Sequence, residues 1–320
     1  MGSWDIAVSN LTSVGVLTFI LAFIAARLKS DVRIPEAVYQ FLAIYLLFGI
    51  GLKGGHSLKS TPFSELLAPS LATIACGVLI PVVAFYSLRF VKVLSVIDRG
   101  SIAAHYGSTS LVTFSAAILF LESNSIFIEG FAPALLTLME IPGLIIGIYL
   151  ASRSSKIGVS WGKTLKEVLL GKTVLLLIGG LVIGFATTND GYEKVSPFFV
   201  QLLSGFLVLF LLHLGYMAGA NFQELTKVGL PLAIFALIFP IFSGVIGVVA
   251  GSIVGLSVGG TTVLAILCAS ASYIAAPAAV AVALPQASPT LALTTSIGIT
   301  FPFNLIVGIP LMYKLAQLMG

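Results

Sequence analysis

Two clusters of small, hydroxyl-bearing residues lie inside long apolar stretches, where a polar side chain needs a partner or a cavity. The stretches read AAHYGSTSLVTFSAAILFL and CASASYIAAPAAVAVAL. Hydroxyls, and backbone N–H groups freed at a helix break, donate hydrogen bonds to a small oxyanion without adding a fixed positive charge. The predicted anion-binding residues are Gly107, Ser108, Thr109, Ser110, Ser270, Ala271 and Ser272. The alternative is that these residues only allow close helix packing, with each hydroxyl bonded to its own helix.

A single carboxylate, Glu140, lies near the middle of the apolar stretch FAPALLTLMEIPGLIIGIYLAS, just before Pro142. An ionisable group at that depth is costly unless it is paired or solvated, so it indicates function. Beside carbonyls freed by the proline, its oxygens suit a hard cation, Na⁺ or H⁺. The alternative is a protonated Glu140 bonded to a neighbouring helix. The predicted cation-binding residues are Glu140, Thr113, Tyr273, Thr300 and Asn304. We predict no cofactor and no metal beyond Na⁺ as the coupling ion.

The composition is that of a polytopic membrane protein, because 58% of the 320 residues are apolar and only 9% are charged. A spanning helix needs about 20 mostly apolar residues. Cys76 and Cys268 both lie in apolar stretches and are expected to be small core residues rather than a disulfide. Ten spans are predicted, over residues 11–26, 34–52, 66–88, 101–121, 131–151, 173–187, 195–217, 230–256, 261–284 and 291–315.

The basic residues indicate the orientation of these spans. Twelve of the sixteen Lys and Arg residues fall in the odd-numbered loops, which the positive-inside rule assigns to the cytoplasm. Both termini are therefore predicted to lie outside, and topology rather than a nucleic-acid partner explains the net charge. Asp98 and Glu129 fall in loops and are expected to stay solvated.

The chain repeats itself at an offset of about half its length. IPEAVYQFLAIYLLFGIGLKGG with a following FSEL is matched by SPFFVQLLSGFLVLFLLHLGYMAG with a following FQEL. Five spans per unit is an odd number, so consecutive units enter the membrane from opposite sides. We predict an inverted repeat of residues 1–151 and 173–320, joined by a cytoplasmic linker of residues 152–172 with a short interfacial helix. The hydroxyl clusters then occupy the fourth span of each unit.

Several motifs together resemble the SbtA-like sodium-dependent bicarbonate transporters. They are GLKGG, HYGSTS, LMEIPG, ASASYIAAPA and TTSIGITFPFN, in that order along nearly the whole chain. The resemblance implies ten helices in two inverted five-helix repeats, a core and a gate domain, and broken, crossing fourth and ninth helices that bind bicarbonate. It also implies a homotrimer, a PII-like cytoplasmic regulator and a bacterial plasma (inner) membrane. Two features depart from the family's pattern: Tyr273 stands where its better-known members have Asp, and the linker is short.

The sequence thus predicts an all-α secondary transporter that couples Na⁺ to bicarbonate uptake by alternating access. One alternative is a Na⁺- or H⁺-coupled transporter of the same fold with another cargo, such as a small organic acid, or a cation antiporter. An intramembrane enzyme is disfavoured because no HExxH motif occurs and no predicted span has a central Asp. A receptor that transports nothing would leave Glu140 and the hydroxyl clusters unexplained.

Overall fold

The computed structural model describes residues 8–224 and 229–320, and these residues form helices and loops with no β-strand. Three features used in the sequence analysis lie outside the described residues. They are the N-terminus, Lys227 among the loop charges, and Leu225 of the repeated FQEL motif. Polar residues at helix starts fix several boundaries in an otherwise apolar chain. Ser95, Thr188 and Ser257 each accept a backbone N–H from the first turn of the helix that follows.

In the described part of the first half, six helices have twelve or more residues. They are α1 Val14–Arg27, α2 Glu36–Leu58, α3 Phe63–Ser87, α4 Val96–Gly107, α5 Leu111–Ser123 and α6 Ala132–Ser155. A 3₁₀ turn, Leu88–Phe90, follows α3.

The described part of the second half continues with shorter and longer α-helices. They are α7 Trp161–Leu170, α8 Lys172–Ala186, α9 Asn189–Ser196, α10 Leu203–Ala220, α11 Leu230–Ile253, α12 Val258–Ala269, α13 Ala275–Ala283, α14 Pro289–Leu293, α15 Phe301–Phe303 and α16 Ile309–Met319. Short π-helical segments join α9 to α10 and link α14 to α16 into one long helical stretch.

Among the described residues, seven helical stretches are long and apolar enough to cross a membrane, and an eighth is added if α7 and α8, bent by 50°, count as one span. The prediction of a polytopic all-helical protein is confirmed at this level. Two of the ten predicted spans are short apolar helices instead, since α1 has 14 residues and α12 has 12. The fourth and ninth predicted spans are each interrupted, into α4 and α5 and into α12 and α13.

Two helix pairs pack backbone against backbone through glycines. In the α2–α8 pair, a Cβ on Gly51 would lie 2.7 Å from the Leu177 carbonyl oxygen. In the α1–α10 pair, a Cβ on Gly219 would lie 2.5 Å from the Phe23 carbonyl oxygen. Glycine is needed at both places because any side chain would separate the helices. These glycines belong to the Gly-x-x-x-Gly ends of the two sequence copies, so the same motif has the same packing role in each half.

The remaining long helices pack around the two interrupted ones. Helix α4 packs between α3 and α6, and α12 packs between α11 and α16. Cys76 and Cys268 are buried, free thiols, in agreement with the sequence interpretation. Residues 152–172 contain the end of α6, a short loop and the amphipathic α7.

Two carboxylates that were expected to be solvated instead form hydrogen bonds between the two halves of the chain. Glu129 accepts the backbone N–H of Ser257 (2.6 Å) and its hydroxyl (3.0 Å), at the start of α12. Asp98, in the first turn of α4, accepts the backbone N–H of Ser288 at 2.8 Å, just before α14. The expectation was wrong because a helix start offers unpaired N–H groups and a partial positive charge, which attract a nearby carboxylate, whether it lies in a loop, as Glu129 does, or on another helix, as Asp98 does.

We expect Glu129→Ala to lower the free energy of unfolding by about 1–3 kcal/mol, because it leaves a helix-start N–H without its charged acceptor. The matched control is Glu122→Ala, which removes an ion pair to Lys53 whose side chains are 50% and 39% exposed. Exposed pairs contribute about 0–1 kcal/mol, so the control should be close to wild type. Thermal unfolding in detergent measures both, and equal midpoints for the two variants would contradict the role given to Glu129.

Candidate functional site

The two interrupted helices break at the predicted hydroxyl clusters. Helix α4 ends at Gly107 and α5 begins at Leu111, while α12 ends at Ala269 and α13 begins at Ala275. All seven predicted anion-binding residues therefore lie in or directly beside the breaks, and all are buried. A break inside a protein interior leaves N–H and C=O groups that need other partners. The hydrogen bonds around the breaks provide them.

The two breaks touch each other directly. The backbone N–H of Ser110 donates to the hydroxyl of Ser270 at 3.0 Å, and that hydroxyl donates to the Leu267 carbonyl at 2.9 Å. In return, the backbone N–H of Ser272 donates to the His105 carbonyl at 2.7 Å. Ser270 thus combines the two readings of the sequence, since its hydroxyl bonds to its own helix and also accepts from the opposite break. The clusters contact one another rather than facing each other across a gap.

Small residues allow the first break to be covered by neighbouring helices. A Cβ on Gly143 of α6 would collide with the carbonyl group of Gly107, and a Cβ on Gly107 would lie 2.7 Å from the ring of Pro81. Ser110 then restarts the helix, because its hydroxyl accepts the N–H of Thr113 at 3.2 Å and the Thr113 hydroxyl at 2.8 Å. Thr113, predicted as a cation ligand, is therefore bound to Ser110, one hydrogen bond away from the break.

Glu140 is buried on α6 and reaches the first break. Its Oε2 accepts both the backbone N–H of Thr109, at 3.2 Å, and the Thr109 hydroxyl. Its Oε1 has no hydrogen-bond partner, and the nearby hydroxyl of Ser108 also has none. Within the described ranges, no Lys or Arg forms an ion pair with this carboxylate. The Oε2 atom therefore holds the break in place, and the Oε1 atom accepts no hydrogen bond.

The second break also has a polar side chain from a neighbouring helix, but this one donates a hydrogen bond where Glu140 accepts. Asn304, the predicted counterpart of Glu140, donates from Nδ2 to the Ala269 carbonyl at 2.8 Å, and its Oδ1 has no partner. A carboxylate suits the start of a half-helix, where N–H groups are free, and an amide N–H suits the end of one, where C=O groups are free. The acidic side chain at the first break and the amide at the second thus each have a structural reason.

The predicted cation ligands do not all come together. Thr300 shares a hydrogen bond of 2.6 Å with the hydroxyl of Tyr106, at the end of α4, and donates to the Ala236 carbonyl of α11 at 2.8 Å. Tyr273 lies in the second break with its hydroxyl unpartnered. Of the five residues, only Glu140 and Tyr273 line one common cavity.

That cavity is small and lies beside the contact between the breaks. Three of the seven predicted anion-binding residues line it, and the other four, Gly107, Ser108, Ser270 and Ala271, do not. The sequence interpretation missed Leu111, Thr173 and Ile274, because nothing in their type or spacing suggests a ligand site and only the folding of α8 across the break brings Thr173 there. The full lining is Thr109, Ser110, Leu111, Glu140, Thr173, Ser272, Tyr273 and Ile274.

Comparison with protein families identifies a match to this chain. The family model of the Na⁺-dependent bicarbonate transporter superfamily matches residues 15–317, which is nearly the whole chain. A search of curated proteins found no match. The match agrees with the resemblance carried by the five motifs, and the helices described above are those of a multi-pass membrane protein. The chain therefore belongs to the Na⁺-dependent bicarbonate transporter superfamily.

Proposed function

We propose that this protein takes up bicarbonate together with Na⁺, and that both bind in the cavity between the two helix breaks. The observation that carries the proposal is the position of Glu140: a buried carboxylate with one free oxygen shares its cavity with Thr109, Ser110 and Ser272. Hydroxyls and helix-start N–H groups from both breaks donate to the anion. The free Oε1 of Glu140, with neighbouring hydroxyl oxygens, binds Na⁺.

Electrostatics explains why the anion would need the cation. Two like charges about 4 Å apart repel by about 4 kcal/mol at an effective dielectric constant near 20, so ionised Glu140 opposes bicarbonate in the same cavity. The attraction between a bound Na⁺ and the anion is of similar size and opposite sign, so it offsets that repulsion. Bicarbonate then binds after Na⁺, and one Na⁺ with one bicarbonate crosses as a neutral pair. Additional Na⁺ would make transport electrogenic.

The architecture that we propose is two inverted five-helix units, residues 1–151 and 173–320, joined by a cytoplasmic linker at 152–172. Helix contacts support it, because they are equivalent when the units are exchanged. The pair α2–α8 corresponds to α10–α1, and the packing of α4 against α3 and α6 corresponds to that of α12 against α11 and α16. Each unit also has its break in the fourth of five spans.

The same contacts support a division into two bodies that move against each other. Helices α1, α2, α8 and α10 pack together and form the gate domain, and the interrupted helices with α3, α6, α11 and α16 form the core domain. The cavity lies between them, since Thr173 belongs to α8 and the other lining residues belong to the core. Sliding of the core along the gate domain would expose the cavity to each side in turn. The homotrimer, the PII-like regulator, the bacterial plasma membrane and the outward-facing termini follow from the family resemblance and belong to this proposal.

We expect labelled bicarbonate to accumulate in proteoliposomes only when a Na⁺ gradient is imposed. Replacing Na⁺ by choline or K⁺ should reduce uptake to that of empty liposomes, because the anion then meets an unneutralised carboxylate. A panel of small organic acids should not compete. Uptake driven equally well by a proton gradient, or strong competition by another anion, would favour the same fold with a different coupling ion or cargo.

Glu140→Gln should reduce Na⁺-dependent uptake by more than about tenfold, since the lost attraction for Na⁺ exceeds the 1.4 kcal/mol that corresponds to a factor of ten. The glutamine keeps an oxygen for Thr109, so the break should stay folded. Glu122→Gln, a carboxylate in the exposed pair with Lys53, is the matched control and should transport normally. Wild-type Na⁺ dependence in Glu140→Gln would remove this residue from the cation site.

Gly143→Ala should also impair transport, without any change of charge. The added methyl group would collide with the carbonyl of Gly107 and displace the first break from its position beside Glu140. Gly179→Ala in α8 is the control, because a Cβ there meets nothing within 4 Å. We expect the control to transport like wild type in the same assay, and equal activity of the two variants would show that the position of the break is not critical.

A further inference from the structure

A second, larger cavity adjoins the small one at the end of the core that faces α7. Its volume is about 330 Å³, against about 10 Å³ for the small cavity, which is nearly closed in this structure. Charged side chains, Glu167 and Lys172, line the larger cavity, and Lys172 bonds to Gln40 across it. We call this larger cavity the vestibule. Its charged lining is typical of a space filled by water.

Three residues line both cavities and therefore form the wall between them. They are Thr173 from the first turn of α8, and Tyr273 and Ile274 from the second break. Tyr273 contributes the largest side chain of the three. Its residue is 6% exposed, and its ring packs edge-to-face against Phe301 with the ring centroids 5.8 Å apart. The wall is thus made mainly of one aromatic ring.

The Tyr273 hydroxyl has no hydrogen-bond partner although it is buried. A buried hydroxyl without a well-formed hydrogen bond costs about 1–3 kcal/mol. Only a weak contact with the Ser110 hydroxyl is lost when the side chain turns away. The ring also sits on the non-helical segment 270–274, where the backbone is not held by a helical ladder. Both features make it easier to move than a side chain on a regular helix.

We propose that the Tyr273 ring is the barrier between the binding cavity and the vestibule, and that its displacement opens the binding cavity toward the side of α7. The role of this barrier in transport rests on the function proposed above. The wall joins the two bodies, because Thr173 belongs to α8 and Tyr273 to the core. A shift of one body against the other would therefore separate the ring from its opposite wall, which couples the barrier to the transport motion.

Cysteine accessibility tests the barrier directly. The background is Cys76→Ala with Cys268→Ala, which removes the two native thiols. Leu111 lines the small cavity, so Leu111→Cys reports on access to it. Ala278 is exposed and lines the vestibule, so Ala278→Cys reports on access to the vestibule. A membrane-impermeant methanethiosulfonate reagent is added to vesicles on the side that carries α7, in choline buffer without bicarbonate.

We expect Ala278→Cys to be labelled rapidly and Leu111→Cys slowly while Tyr273 is present. Tyr273→Ala should raise the labelling rate of Leu111→Cys at least about tenfold, because labelling follows the fraction of time that the wall is open. Tyr273→Phe keeps the ring and should leave the rate unchanged. Labelling of Ala278→Cys should be the same in all three backgrounds, and reagent added to the opposite side should show no effect of Tyr273→Ala.

Two results would overturn the proposal: an unchanged rate in Tyr273→Ala, or an equal acceleration in Tyr273→Phe. Size-exclusion elution checks that each variant is folded. If Tyr273→Ala does not fold, Tyr273→Leu replaces it, with a smaller acceleration expected and no acceleration counting against the barrier. The assay contains neither Na⁺ nor bicarbonate, so accelerated labelling in a protein that fails to transport bicarbonate would reject the proposed function and leave the barrier standing.

Discussion

The structure depends on how unpaired backbone groups are satisfied where two helices stop inside an apolar protein. In hydrocarbon or in a dry core each unpaired group costs several kcal/mol, so a break survives only if other groups replace the missing helical bonds. Here each break supplies partners to the other, through Ser110 with Ser270 and Ser272 with His105. The two breaks are therefore stable together, and neither would be stable alone. This mutual dependence places the half-helix ends from both halves of the chain at one point.

Side chains from neighbouring helices complete this arrangement, and they also limit what the site can bind. One oxygen of Glu140 accepts from Thr109, and the amide N–H of Asn304 donates to the Ala269 carbonyl. The other oxygen of Glu140 and the amide oxygen of Asn304 have no hydrogen-bond partner. Gly143 lets the backbone of α6 approach the first break closely enough for Glu140 to reach it. The structural and the ligand-binding parts of the site are thus the same few groups, and changes to one part alter the other.

Much of this site could be predicted from the sequence, and the limits have physical causes. Hydroxyls and a carboxylate in apolar stretches are conspicuous because they are costly there, and the breaks lie where Ser108 to Ser110 and Ser270 to Ser272 indicated. The Gly-x-x-x-Gly ends also pack as close helix contacts. Sequence could not show that the clusters touch, nor that Thr300 lies apart from Glu140, since both depend on how helices distant in the chain cross. The contacts of Asp98 and Glu129 could not be predicted for the same reason, because the helix starts that they bind come close to them only in the folded protein.

The absence of an ion pair at Glu140 within the described residues bears on how an anion site can be controlled. A fixed Arg or Lys in the cavity would bind bicarbonate regardless of Na⁺, and would pair with Glu140 permanently. Among the described residues, the protein donors that line the cavity are hydroxyls and backbone N–H groups, so with Glu140 ionised the proposed site would have a net negative charge until a cation enters. In the proposed mechanism, the positive charge that the anion requires comes from the ion whose gradient supplies the energy. A buried carboxylate beside uncharged donors is therefore sufficient to make the binding of one ion conditional on the other.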